Sequence, residues 1–172
     1  MTTTCARFPS PVGELILTAS DTALKGVFFP LPRNRVTPEA RPDWVRDDGR
    51  GPAGALLARV RRQLTEYFDG TRESFDLPLD AAGSPFERRV WDLLRTIPYG
   101  TTTSYGALAR RLGDPRATRA VGAANGKNPI PIIVPCHRVV GARGDLTGFG
   151  GGLDRKRWLL EHEGALLHLG KA

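Results

Sequence analysis

The sequence predicts an α+β protein in two parts: a small mixed domain over residues 1–80 and a mainly helical domain over residues 83–168. Three observations lead there. Two apolar runs near the N-terminus flank a short polar turn, an amphipathic helix follows them, and from Ser84 onward the chain carries one set of helix-start and helix-stop signals after another.

Residues 12–18 (VGELILT) and 24–29 (LKGVFF) on either side of "ASDTA" read as a hairpin. Residues 30–52, rich in Pro, Arg, Asp and Gly without an apolar period, read as a long surface loop. A helix fits residues 53–69, where Leu56, Leu57, Val60, Leu64, Tyr67 and Phe68 recur at helical spacing and Gly70 stops it. The segment "SFDLPLD" is expected to close the small sheet as a last strand.

In the second part, Ser84, Pro85 and Glu87 form an N-cap, a first-turn proline and a capping box for a helix whose apolar stripe is Phe86, Val90, Trp91, Leu94 and Ile97. Ser104 to Leu112 fits a second helix. Gly113 breaks it, Asp114 and Pro115 start a third, and that third helix runs to about Asn125. Two short helices joined by a tight glycine-containing turn make a helix-turn-helix. A final helix fits Asp154 to Glu163, with Asp154 as N-cap and Gly164 as stop.

Charge separates the two parts. Residues 1–82 hold 11 Lys+Arg against 11 Asp+Glu, whereas residues 83–172 hold 14 against 7, so the whole net charge of +7 lies in the C-terminal part. That is either a solvated arginine-rich surface or a polyanion-binding half. The third helix carries Arg116 and Arg119 as its long cations among the small residues Ala117, Ala120 and Gly122. It lacks the forked side chains that read major-groove base edges. Such a narrow face suits either a minor groove with one arginine projecting or close helix–helix packing.

The chain has two cysteines, Cys5 and Cys136, and three histidines, His137, His162 and His168, with no pair at zinc-ligand spacing. No disulfide framework, metal or cofactor is expected. The N-terminus lacks a basic segment followed by an apolar one, and no run is long enough to span a bilayer. A soluble protein of the reducing cytoplasm, without a membrane partner, is the expectation.

The chemistry concentrates in "NPIPIIVPCHRVVG", residues 128–141. A free thiol with a pKa near 8.5 is only a few per cent thiolate at neutral pH, so a nucleophilic Cys136 needs a base. His137 is the adjacent candidate, and a base of this kind is commonly held by a carboxylate on its other ring nitrogen. Glu163 is the candidate carboxylate, because the last turn of a helix disfavours an anion and its placement there suggests another duty. A solvent-exposed glutamate at a frayed end and a buried inert thiol are the competing readings. The polar triplet of Pro135, His137 and Arg138 after an apolar strand is expected to emerge toward a pocket or solvent, with Arg138 helping to hold the motif through hydrogen bonds. The following "GDLTGFGGG" could lie close to a flat ligand beside Phe149 or cradle a phosphate, although no Walker lysine accompanies it.

"PCHRV" at 135–139, preceded by "RAVGAANGKNPIPIIV" and followed by "GFGGG" and "LLEHEG", resembles the O6-alkylguanine-DNA alkyltransferases, or methylated-DNA–protein-cysteine methyltransferases, over residues 83–167. The resemblance implies a ribonuclease H-like N-terminal domain and a helix-turn-helix that enters the minor groove of double-stranded DNA containing O6-alkylguanine. It also implies a single, irreversible transfer of the alkyl group from guanine O6 to Cys136 after base flipping, with transfer from thymine O4 left open. It makes His137 a base acting through a water and Glu163 its orienting group. Tyr105 crowds the phosphate and protonates the leaving guanine, Arg119 fills the gap in the stack, and Asn128 orders the turn near the cysteine. The carbonyls of Cys136 and Val139 take the exocyclic amine, the Gly150 amide faces O6, and Phe149 with Arg138 completes the base pocket. Ala117, Ala120, Gly122 and Arg116 belong to the DNA face. Phe149 stands where some members have tyrosine, and Cys5 has no histidine partner in residues 1–82 for the zinc site of others. A monomer is expected, with cooperative binding along DNA left open.

Overall fold

A computed structural model describes residues 2–31 and 36–166. His168 and the end of the expected C-terminal domain lie outside them. The chain divides into two compact units, Met1–Ala82 and Gly83–Ala172.

The first unit is built on a four-stranded sheet of order β3-β2-β1-β4, formed by β1 (Thr4–Phe8), β2 (Leu15–Ala19), β3 (Leu24–Phe28) and β4 (Val45–Arg46). The expected hairpin is β2–β3, paired antiparallel with Leu17 opposite Val27. Two strands escaped the sequence reading. β1 pairs antiparallel with β2 through a tight turn in which Ser10 and Gly13 exchange backbone hydrogen bonds, Gly13 sitting at φ 107°. Its pattern is not alternating, because Cys5 and Ala6 are both buried, so the period-2 signal is absent. β4 lies inside the stretch expected to be loop and pairs parallel with β1 over two residues. Helix α1 (Gly51–Phe68) packs Leu57, Val60, Leu64 and Tyr67 against β1 and β2, and the chain leaves it at Gly70 with φ 82°.

The expected strand in "SFDLPLD" does not form. Asp76 is held by the side-chain amide of Gln63, which accepts from its N–H at 2.9 Å and donates to its carbonyl at 3.0 Å. Beyond it there is only a single bridge, Leu24 with Leu79. Pro78 has no N–H to extend a ladder.

The second unit opens with α2 (Pro85–Leu94). The Ser84 hydroxyl accepts from the Glu87 N–H while the Glu87 carboxylate accepts from the Ser84 N–H, so the capping box is complete. β5 (Thr103–Ser104) leads directly into α3 (Tyr105–Arg111), capped by the Ser104 side chain. Gly113 at φ 86° and the Asp114 cap turn the chain through a short 3₁₀ segment, Pro115–Ala117, into α4 (Thr118–Gly126). The helix-turn-helix is α3–turn–α4. Trp91 of α2 donates its indole N–H to the Ala124 carbonyl at 2.8 Å, fixing α4 on α2. β6 (Val139–Val140) pairs parallel with β5, which brings the start of α3 beside the Cys136 segment.

The last helix, α5 (Leu153–His162), is entered through Gly152 at φ 93° with no side-chain cap. Asp154 therefore lies inside the first turn and is not the N-cap; it still favours the positive end of the helix dipole. No helix among the described residues is long and apolar enough to cross a membrane.

Candidate active site

The segment from 128 to 135 is a knot of turns rather than a strand. Asn128 clamps it from within: its Oδ1 accepts the Ile130 N–H at 3.0 Å and its Nδ2 donates to the Val134 carbonyl at 2.8 Å. Val134 N–H closes back on the Ile130 carbonyl at 2.9 Å. Ile132, fully buried, sits at φ 73°, a conformation that costs a β-branched residue about 1–3 kcal/mol and persists only where packing enforces it. The reversal delivers Cys136, His137 and Arg138 into one 3₁₀ turn.

All three are buried. Cys136 is 4%, His137 0% and Arg138 5% exposed, so the polar triplet does not emerge toward solvent. Local partners satisfy it instead. His137 Nε2 is 2.7 Å from Glu163 Oε2. Arg138 donates from Nε to Glu163 Oε1 at 2.8 Å, from Nη2 to Glu163 Oε2 at 3.1 Å, and from Nη1 to the Ile97 carbonyl at 2.7 Å. Arg138 thus holds the motif through hydrogen bonds, as expected, by tying it to Glu163 and the α2–β5 connection; its guanidinium is committed there rather than to a base pocket. Glu163 is the C-cap of α5, and its buried carboxylate is held by a guanidinium and an imidazole rather than frayed into water.

These contacts set the proton positions. Burial would raise the Glu163 carboxyl, but hydrogen bonds and charge from His137 and Arg138 outweigh it and hold it below the usual carboxylate range. An ionised Glu163 only accepts, so His137 carries its proton on Nε2 and keeps Nδ1 as a free lone pair. Burial lowers the His137 pKa against the pull of Glu163, which favours the neutral ring. Nδ1 is buried and has no hydrogen-bond partner among the described residues. Burial also pushes the Cys136 thiol up to about 11, against a lowering hydrogen bond from Asn128 and the charge of Lys156. The resting pair is a neutral thiol beside a neutral imidazole with an open acceptor.

Two residues that the sequence reading passed over complete the site. Lys156 of α5 is fully buried, donates to the Thr147 carbonyl at 2.7 Å and lies 3.5 Å from the Tyr105 hydroxyl. Burial lowers its pKa to about 8. Tyr105, the first residue of α3, also donates to the Thr147 carbonyl, at 3.0 Å, and burial raises its pKa. The signal for Lys156 was a lysine at the i−3 position from Leu159 on the helix's buried face, legible only once α5 is packed. Asn125, 2% exposed on the inner side of α4, donates from Nδ2 to the Cys136 carbonyl at 3.3 Å. The Val139 N–H donates to the same carbonyl. This carbonyl is one of the two expected to take the exocyclic amine.

The other expected residues are dispersed as follows. Arg116, Arg119 and Ala120 are exposed, and Ala117 and Gly122 half-buried, on the outer side of the turn and α4, whereas Val121, Ala124 and Asn125 face inward. Val139 is fully buried. Phe149 is half-buried and Gly150 exposed in the connection from β6 to α5.

Two family models match the chain: the 6-O-methylguanine DNA methyltransferase DNA binding domain over residues 85–165 and the ribonuclease-like domain of the same proteins over residues 4–81. A methylated-DNA–protein-cysteine methyltransferase from Methanosarcina acetivorans is 44% identical over 160 residues, 93% of this chain and 97% of the relative. One from Mycobacterium tuberculosis H37Rv is 48% identical over 154 residues, 90% of this chain and 88% of the relative. The crystal structure of the M. tuberculosis O6-methylguanine methyltransferase superposes with a TM-score of 0.81 at 44% identity, covering 95% of this chain and 94% of that one. The M. tuberculosis OGT in complex with DNA gives 0.81 at 44% identity, with 96% and 94% covered.

Proposed function

The chain belongs to the methylated-DNA–protein-cysteine methyltransferase family, and from that premise we propose that Cys136 takes the alkyl group from O6 of guanine in double-stranded DNA, once and irreversibly. The reaction is direct reversal of DNA damage. One sulfur–carbon bond forms, the carbon–O6 bond breaks, and guanine leaves with a proton.

The observation that carries this reading is the buried row Cys136, His137, Glu163, Arg138. Glu163 and Arg138 fix the tautomer that leaves His137 Nδ1 free, and Nδ1 receives the thiol proton through a bridging water as the alkyl carbon is attacked. With the thiol pKa near 11, only about one part in 10⁴ is thiolate at pH 7, so deprotonation belongs to the reaction itself. Tyr105 supplies the proton that guanine takes away, and Lys156 beside it offsets the negative charge left on the phenol oxygen. Asn128 keeps the sulfur in line.

The outer side of the turn and α4 presents Ala117, Ala120 and Gly122 to a minor groove, Arg119 fills the gap left by the flipped nucleotide, and Arg116 meets the backbone. Cys136 and Val139 offer their carbonyls to the exocyclic amine, the Gly150 amide meets O6, and Phe149 walls the base. Residues 83–168 carry DNA binding and acceptance as a monomer, and residues 1–80 support them. Activity on O4-alkylthymine and cooperativity on DNA remain separate assays.

The test is the intact mass of the protein after mixing with a duplex carrying one O6-methylguanine, followed by peptide mapping. A gain of one methylene on Cys136, absent in Cys136→Ala with duplex binding retained, is expected. Binding without any mass gain in the wild type would replace the reading with damage recognition alone.

A further inference from the structure

Arg89, Arg95 and Arg111 belong to a face of the second unit to which the reaction gives no task. Helix α2 turns Val90, Trp91 and Leu94 inward and is tied to the inner side of α4 by the hydrogen bond from Trp91 to Ala124. Arg88, Arg89, Asp92 and Arg95 lie on its exposed side and so point away from α4. The end of α3 joins this face: Arg111 donates from Nη1 to the Thr96 hydroxyl at 3.0 Å, and Arg89 from Nη2 to the Leu112 carbonyl at 3.5 Å. Arg110 is exposed next to Arg111. Among the described residues none of these arginines has a carboxylate partner, although Asp92 stands on the same side of α2; the basic side chains of this unit that do have one include Lys127 with Glu87 and Arg138 with Glu163. In the first unit, by contrast, Arg7, Arg59 and Arg72 are each paired with a carboxylate.

Arginines gathered on one face without counter-charges repel one another and suit a row of phosphates, which guanidinium forks grip with two bonds at once. Arg89 and Arg111 are held by neutral oxygens, so their orientation is fixed while their charge stays available. A duplex on the outer side of α4 does not supply those phosphates, because α2 stands behind α4 and the two helices meet by their buried sides. We infer that this face binds the backbone of a second DNA segment, so that the protein passes from one duplex to another without first being released into solution. The inference rests on the alkyl-transfer reading above, which places the lesion duplex on α4. Contacts of this kind are to phosphate and carry no sequence information, which is what a search over undamaged DNA requires.

The experiment loads the intact chain on a fluorescent, unmodified short duplex and follows its departure after mixing with rising concentrations of the same duplex without label. Direct passage makes the departure rate rise in proportion to the competitor, whereas release into solution gives a rate independent of it. The wild type is expected to show the rise. The triple variant Arg89→Gln, Arg95→Gln, Arg111→Gln should lose it, while its affinity for a single duplex and its methyl transfer to Cys136 from a saturating O6-methylguanine duplex stay at the wild-type level. The log–log salt dependence of the passage rate should become shallower by about 0.9 for each phosphate contact removed. A wild-type departure rate indifferent to competitor, or a rise unchanged in the triple variant, would overturn the inference. So would a lower affinity of the variant for a single duplex, which assigns the face to the DNA already on α4. If the triple variant does not fold, Arg95→Gln alone takes its place, with a partial loss of the rise expected, because that side chain is exposed and makes no hydrogen bond or ion pair among the described residues. Failure of the underlying reading is distinct: the wild type would then place no methyl on Cys136, whatever its departure kinetics.

Discussion

At the scale of single residues, the site is a proton account kept by burial. Glu163 has no solvent to share its charge with, so its partners are indispensable. Glu163→Gln leaves the Arg138 guanidinium buried without its counter-charge and should cost about 3–5 kcal/mol in a denaturant titration. Because its folded pKa lies below the unfolded value of about 4.3, Glu163 contributes stability that is present above that pH and is lost as pH falls through the folded value. Acid unfolding of the wild type should therefore show a pH dependence that is weaker in Glu163→Gln. For His137→Ala, transfer at neutral pH should drop about 10²–10⁴-fold and then climb about tenfold per pH unit toward the thiol value near 11. Lys156 carries its charge below about pH 8 and sheds it above. The wild-type rate should step down through that pH, and the step should vanish in Lys156→Met.

At the scale of elements, the positions of α2, α4 and α5 matter more than their lengths. Ser84→Ala opens the capping box of α2 and should cost about 1 kcal/mol in thermal or denaturant unfolding. Trp91→Phe removes the bond that holds α4 at Ala124 and should weaken duplex binding more than reaction with the free base. The helices were legible because caps and apolar periods are local: Ser84 with Glu87, Ser104, Asp114 and the glycine stops can be read without knowing what the helices touch. β1 and β4 were not, since Cys5–Ala6 breaks alternation and a two-residue strand has no period at all. The supposed strand at 74–80 failed for a non-local reason, the capture of Asp76 by Gln63. In the site, Cys136, His137 and Glu163 could be named from adjacency and an ill-placed carboxylate. Asn125 and Lys156 could not, because a polar residue on a helix looks solvent-facing until the opposite wall is known. For Arg138 the structural role of hydrogen bonding within the motif was legible, but its partner Glu163, 25 residues away, was not.

At the scale of the whole molecule, the uneven charge is the coarsest feature and the easiest to test. With 14 basic against 7 acidic residues after position 82, duplex affinity should fall steeply as salt rises, whereas methyl transfer from free O6-methylguanine base should be nearly salt-independent. The burial of Cys136 has a different consequence. A protein that can react once must not be spent by accident, and the small electrophiles that alkylate DNA would consume an exposed thiolate just as readily. Sheathed at 4% exposure and protonated, the sulfur is kept from oxidants and stray alkylators and is opened only to a base seated against it. The fold in this sense is packaging: it preserves a perishable reagent in date until a lesion breaks the seal.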